Sequence, residues 1–259
     1  MAETAINITP YAIAFLGGVL PALVWLWFWH RQDNACPEPR GLVLLSFIAG
    51  MAVVYFVLPV QHLILSLIPW ISVQFQNIAT LLSFTTPSEE MTKLILWSFT
   101  EEFAKYATIF LIAFQSKYFD EPIDAIIYLI TVALGFAAME NALYLFKDLT
   151  DSGLAQTLLD GNLRFIGATI LHTVSSAVVG IAVAASFYYS KSLKVLVITI
   201  GLIIATLLHT YFNFSIMEAQ GVPDMFVTFA QFWVAIIIII ILIRTIKGIN
   251  DHKDTCTTI

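Results

Sequence analysis

The sequence predicts an all-α fold, a polytopic transmembrane helix bundle of about seven spans with the N-terminus outside and the C-terminus cytoplasmic. Three observations carry this expectation. Of the 259 residues, 59% are hydrophobic and only 12% are charged, more apolar surface than a water-soluble domain can hide. Apolar stretches of about 18 residues or more recur along the chain, each long enough to cross a bilayer as a helix. Lysine and arginine are also spread unevenly over the connecting segments, the asymmetry that sets orientation in a membrane. The chain reads as one integral membrane domain, residues 1–259, with no internal repeat, low-complexity linker or second domain.

The spans follow in order. The first runs from about Pro10 to Trp29; Glu3 stands where a cleavable signal peptide would be basic, so this segment is expected to remain as a helix. A loop with Pro37 and Pro39 leads to the second span, about Gly41 to Ile68, where Pro59 predicts a kink with Gln61 and His62 close behind. Residues Pro69–Ser88 mix polar and apolar types and read as an interfacial or re-entrant stretch. The third span covers about Glu89 to Gln115 and the fourth about Ile123 to Phe146. A polar loop, Lys147–Asn162, precedes the fifth span, about Leu163 to Tyr189. The sixth covers about Ser192 to Ile216, and the seventh about Met225 to Ile246, after a Gly221-Val222-Pro223-Asp224 turn.

With seven spans the two ends face opposite sides. Arg31, Arg40, Lys117, Lys191, Lys194, Arg244, Lys247 and Lys253 fall on one side, and only Lys93, Lys147 and Arg164 on the other. The positive-inside rule makes the richer side cytoplasmic. No basic stripe or binding-module signature points to nucleic acid. Cys36 and Cys256 are too few for a disulfide framework. Cys256-Thr257-Thr258-Ile259 has the spacing of a prenylation box, but its middle pair is not aliphatic and no polybasic segment accompanies it. The lipid bilayer, in a bacterial or archaeal cell membrane, is the expected surrounding.

The stretch that organises the chain is Trp97-Ser98-Phe99-Thr100-Glu101-Glu102-Phe103-Ala104-Lys105. Two carboxylates and a lysine sit within an apolar run, and ionisable groups at such depth mark functional sites by default. Glu101 and Glu102 point about 100° apart on a helix, and either can pair with Lys105 at one turn's distance. A buried ion pair that fixes the helix accounts for one carboxylate and leaves the other uncompensated. An uncompensated, desolvated carboxylate suits a general base acting on water.

Polar groups recur on the neighbouring spans. Glu140 and Tyr144 lie one turn apart on the fourth, beside Asn141, in a segment whose small residues 133, 135, 137 and 138 allow close helix contact. Asp124 and Tyr128, near the other end of that span, read as anchors. Arg164 and His172 share roughly one face of the fifth, and Arg164 is either an interfacial anchor or a ligand for a substrate carbonyl or a carboxylate. His209 and Asn213 share a face of the sixth. Packing through interhelical hydrogen bonds would account for each of these taken singly. Measured from the outer helix ends, Glu101 and Glu102 lie about 17 Å deep, Glu140 about 9 Å, His172 about 13 Å and His209 about 10 Å. Convergence in the outer half of the bilayer is what an extracytoplasmic catalytic cavity requires.

Two chemistries fit this set. In one, a glutamate and a histidine activate water against a carbonyl, while the other histidine and Asn213 stabilise the oxyanion. In the other, His172, His209 and Glu140 are candidate ligands of a divalent metal such as zinc. The H-E-x-x-H and G-x-S-x-G signatures are both absent.

The motifs Glu101-Glu102-x-x-Lys105, Phe136-x-x-x-Glu140-Asn141-x-x-Tyr144, Arg164 followed by His172 and Gly180, and His209-x-x-x-Asn213 resemble those of the PrsW family of intramembrane proteases, related to the CAAX prenyl protease and bacteriocin-immunity superfamily. The resemblance covers about Glu89 to Phe214, so the catalytic helices are expected within 89–214. It implies hydrolysis of a peptide bond in membrane-anchored proteins such as anti-sigma factors, on the extracytoplasmic side. Glu101 or Glu102 would activate the water, with His172 and His209 at the centre. The superfamily has been described both as metallo- and as glutamate-type, which leaves the metal open. Lys105 replaces the arginine that CAAX prenyl proteases carry one residue later, so a prenylated substrate is not implied. A proton-coupled transporter and a catalytically idle scaffold are the competing classes; the transporter lacks an inverted repeat of broken helices.

The charge distribution makes one prediction directly. A cysteine placed ahead of Pro10 reacts with an impermeant maleimide in intact cells, and one placed after Lys253 does not. The reverse pattern inverts the topology.

Overall fold

A computed structural model describes residues 9–32, 37–83, 85–151 and 154–250, the side chains of 82, 150–151, 154–165 and 246–250 excepted. The structure there is entirely helical: α1 (Thr9–His30), α2 (Arg40–Leu82), α3 (Glu89–Ile112), α4 (Pro122–Asp151), α5 (Leu154–Ala185), α6 (Lys191–Glu218) and α7 (Val222–Asn250). Six are long and apolar enough to cross a membrane, and the protein is a multi-pass integral membrane protein. The exception, α3, carries Glu101, Glu102 and Lys105 at its centre, and these charges set it apart in composition. Cys36 and the Cys256–Ile259 box lie outside the described residues.

Two expectations are corrected. The segment after Pro69 is neither re-entrant nor separate, because α2 runs unbroken through Pro59 and Pro69 to Leu82. An interior proline removes one backbone hydrogen bond, a loss that membrane helices tolerate through their neighbours. The 43 residues of α2 span about 65 Å, roughly twice the hydrocarbon thickness. The helix ends at Ser83, whose left-handed conformation (φ 58°) turns its N–H onto the Ala79 carbonyl. Likewise the 147–162 loop is mostly helix, since α4 continues to Asp151 and α5 begins at Leu154. Falling hydropathy marks where a chain leaves the apolar layer, not where its backbone hydrogen bonding stops.

The bundle is built around α4. The span within it is 94% buried, against 22% for α1 and 33% for α2 and α7. It packs on α1, α2 and α5, while α3 lies between α2 and α6 and touches α4 and α5. Close approach depends on small residues. A Cβ on Gly135 would stand 2.0 Å from the Phe47 carbonyl oxygen, and one on Gly50 would stand 2.1 Å from that of Val132. Backbone meets backbone there, as the run of small residues around 135 anticipates.

At the end of α4 remote from Glu140, Asp124 Oδ2 accepts from the backbone N–H groups of Asp120 (3.0 Å) and Glu121 (2.7 Å) and so caps the helix. Tyr128 donates to Glu38 of the segment that leads into α2. Both residues act as anchors, as their position suggested.

Gly135→Ala forces α2 and α4 apart and costs about 1–3 kcal/mol, read as a lower melting temperature in detergent. Gly41→Ala, which meets nothing within 4 Å, leaves it unchanged.

Candidate active site

The centre of α3 is held by an ion pair. Lys105 Nζ donates to Glu102 Oε1 at 2.7 Å, one turn away on the same helix, and both side chains have no solvent exposure. The ammonium has two further neighbours. It donates to His172 Nδ1 of α5 at 2.9 Å, and it sits 4.8 Å from the ring centroid of Phe136 of α4, a distance at which the ring face attracts a cation.

Glu102 is equally occupied. Besides Lys105, Oε1 accepts from His209 Nδ1 of α6 at 2.7 Å, and Oε2 accepts from the Ser176 hydroxyl of α5 at 3.0 Å. These bonds decide the histidine protonation states. An ammonium only donates, so His172 Nδ1 accepts and the ring proton is on Nε2, directed at Glu140 Oε2 2.7 Å away. A carboxylate only accepts, so His209 carries its proton on Nδ1 and presents the Nε2 lone pair. The two rings meet edge to face with centroids 5.2 Å apart.

That lone pair faces Glu101. His209 Nε2 stands 3.6 Å from Glu101 Oε2, a buried oxygen with no hydrogen-bond partner. The other carboxylate oxygen, Oε1, accepts from Gln61 Nε2 of α2 at 2.8 Å. The two adjacent glutamates therefore differ completely. Glu102 is saturated by three donors, and Glu101 keeps one oxygen open beside an imidazole nitrogen. Glu101, His172 and His209 each bring a potential ligand atom within 4.8 Å of the others. Glu140 borders this group from α4; a third of its side chain is exposed, the most open member of the His172–Glu140 pair.

Five residues singled out from the sequence, Glu101, Glu102, Glu140, His172 and His209, thus form one network with Lys105. The rest do not join it in the same way. Asn141 is buried with neither amide atom partnered, Tyr144 is half-buried, and the Arg164 side chain lies outside the described residues. Asn213 is half-buried and makes no hydrogen bond among the described residues. Sequence reasoning missed Gln61 as a site residue. Its signal was slight, a single amide in an apolar run two residues beyond Pro59. Ser176 was visible only as a hydroxyl one turn past His172.

Comparison with known proteins points to one family. A family model described as "PrsW family intramembrane metalloprotease" matches residues 38–243, which include Gln61 and every member of the network. Protease PrsW of Geobacillus kaustophilus is 26% identical over 175 residues, 68% of this chain and 64% of that protein. Protease PrsW of Bacillus subtilis is 23% identical over 197 residues, 76% of this chain and 79% of that protein. Protease PrsW of Halalkalibacterium halodurans is 28% identical over 141 residues, 54% of this chain and 58% of that protein. No solved structure matches. The match to the family model, over most of the chain and all of the helices that build the network, shows that this protein belongs to the PrsW family of intramembrane metalloproteases.

Proposed function

We propose that this chain is an intramembrane endopeptidase that hydrolyses a peptide bond of membrane-anchored proteins, regulators of the anti-sigma-factor kind, near the extracytoplasmic face. The observation that carries the reading is the open pair of Glu101 Oε2 and His209 Nε2, 3.6 Å apart in a buried site. A water hydrogen-bonded to both is the nucleophile, and Glu101 Oε2 accepts its proton as it attacks the peptide carbonyl. Glu101 then returns that proton to the departing amine, while His172 keeps its Nε2 proton directed at Glu140. Glu102 does not react; it neutralises Lys105 and orients His209. The positive-inside asymmetry supports an opening on the extracytoplasmic side.

The donor set also fits a divalent metal of the zinc type. Two imidazoles and a carboxylate are ligands zinc takes, and Glu101 Oε2 is a buried acceptor without a partner. The bond from His209 Nδ1 to Glu102 is the outer support that metal-bound histidines carry. Glu101, His172 and His209 would hold the ion, which supplies Lewis acidity toward a peptide carbonyl and toward water. For His172 to offer Nε2 to such an ion, its Nε2 proton would pass to Glu140 Oε2, 2.7 Å away, and Nδ1 would take one from Lys105, so that the ring stays neutral.

The test separates the two glutamates with a single-pass substrate in detergent. Glu101→Gln lowers kcat about 10²–10⁴-fold with a melting temperature near that of the unchanged protein. Glu102→Gln strands the buried ammonium and costs about 3–5 kcal/mol of stability, read as a lower melting temperature. Full cleavage by Glu101→Gln removes the assignment. Phenanthroline abolishes cleavage and added zinc restores it if the metal takes part. Activity that survives exhaustive chelation leaves the Glu101–His209 pair as the whole of the water-activating machinery.

A further inference from the structure

Glu101 is the open carboxylate of the site, yet its own helix does little to aim it. Lys105, one turn on, is committed to Glu102, His172 and the Phe136 ring. Among the described residues, the only hydrogen bond to the Glu101 carboxylate comes from Gln61 of α2, at 2.8 Å. Gln61 is itself buried, 8% exposed, and an amide in an apolar surrounding is costly to leave unpaired. Its carbonyl is engaged as well: Trp97 of α3 donates from Nε1 to the Gln61 backbone oxygen at 3.3 Å. Trp97 and Glu101 are four residues apart and share a face of α3. α2 therefore grips α3 on successive turns, once through main chain and once through the amide.

This grip settles which carboxylate oxygen is free. A glutamate has three rotatable bonds and two equivalent oxygens, so an unheld Glu101 would present either one in many directions. With Oε1 bound to Gln61, the carboxylate cannot turn without losing that bond, and Oε2 is the atom left facing His209 Nε2. Only a donor does this: a second acceptor at position 61 would repel the carboxylate.

We propose that Gln61 is a positioning residue for the hydrolytic site, acting through Glu101, and that α2 is part of the catalytic frame through it. The proposal rests on the reactive role assigned to Glu101. Gln61→Met keeps the length and bulk of the side chain and removes the donor; Gln61→Leu is a second variant should the first fold poorly. Each is compared with the unchanged protein and with Glu101→Gln for steady-state cleavage of a single-pass reporter, zinc retained after dialysis, and thermal melting. The expected result is a kcat lowered about 10–100-fold, the range for groups that support reactive residues from outside, with KM within about twofold. Zinc retention falls in parallel, and melting stays near that of the unchanged protein. Unchanged kcat and zinc retention in a folded Gln61 variant, with Glu101→Gln inactive, overturns the proposal and leaves the site reading standing. A raised KM at unchanged kcat also overturns it, because Gln61 would then serve substrate binding. Full activity of Glu101→Gln instead brings down the site reading on which the proposal depends.

Discussion

Lys105 carries an ammonium into the middle of an apolar bundle with no solvent contact, and the site is arranged around that constraint. An unpaired charge there would cost several kcal/mol even after relaxation. The answer is distributed over three helices: a carboxylate on α3, an imidazole nitrogen on α5 and an aromatic face on α4. Glu102 then extends the arrangement to α6 through His209 and back to α5 through Ser176. Shifting α5 or α6 by one turn would leave the pair intact within α3 but break its bonds to His172, Ser176 and His209, so it is these bonds that register α3 against α5 and α6.

The same constraint separates the surroundings of two adjacent, chemically identical residues. Glu102, the neutralising partner, is tied to Lys105, His209 and Ser176 and has no capacity left for a substrate. Glu101, about 100° away around α3, meets Gln61 and the lone-pair side of His209 instead. One histidine is thereby turned to offer a lone pair and the other to offer a proton. Neither state is a property of the imidazole; each follows from whether its Nδ1 partner is a carboxylate or an ammonium.

Packing of α4 makes this convergence possible. It is nearly wholly buried in its span, and backbone-to-backbone contacts at Gly50 and Gly135 draw α2 close. α2 also packs directly on α3, which lets Gln61 reach the Glu101 carboxylate. The length of α2 serves the same end: because the helix does not stop at Pro59, Gln61 is held in a rigid element, not in a loop.

Much of this protein was legible from the sequence. The helical membrane class, the order of seven helices and the choice of Glu101, Glu102, Glu140, His172 and His209, which the structure brings together, follow from hydropathy, charge scarcity and spacing. These are properties read along one dimension, and a charge in an apolar run stands out whatever surrounds it. Helix ends beyond the apolar layer were not legible, because backbone hydrogen bonding continues where hydropathy falls; α2 past Pro69 and the 147–162 segment show this. The different surroundings of Glu101 and Glu102 and the approach of Gln61 were decided only by tertiary structure. Both depend on which neighbour faces a given side of α3, and that direction is set by the packing of α2, α5 and α6, not by any spacing within the chain.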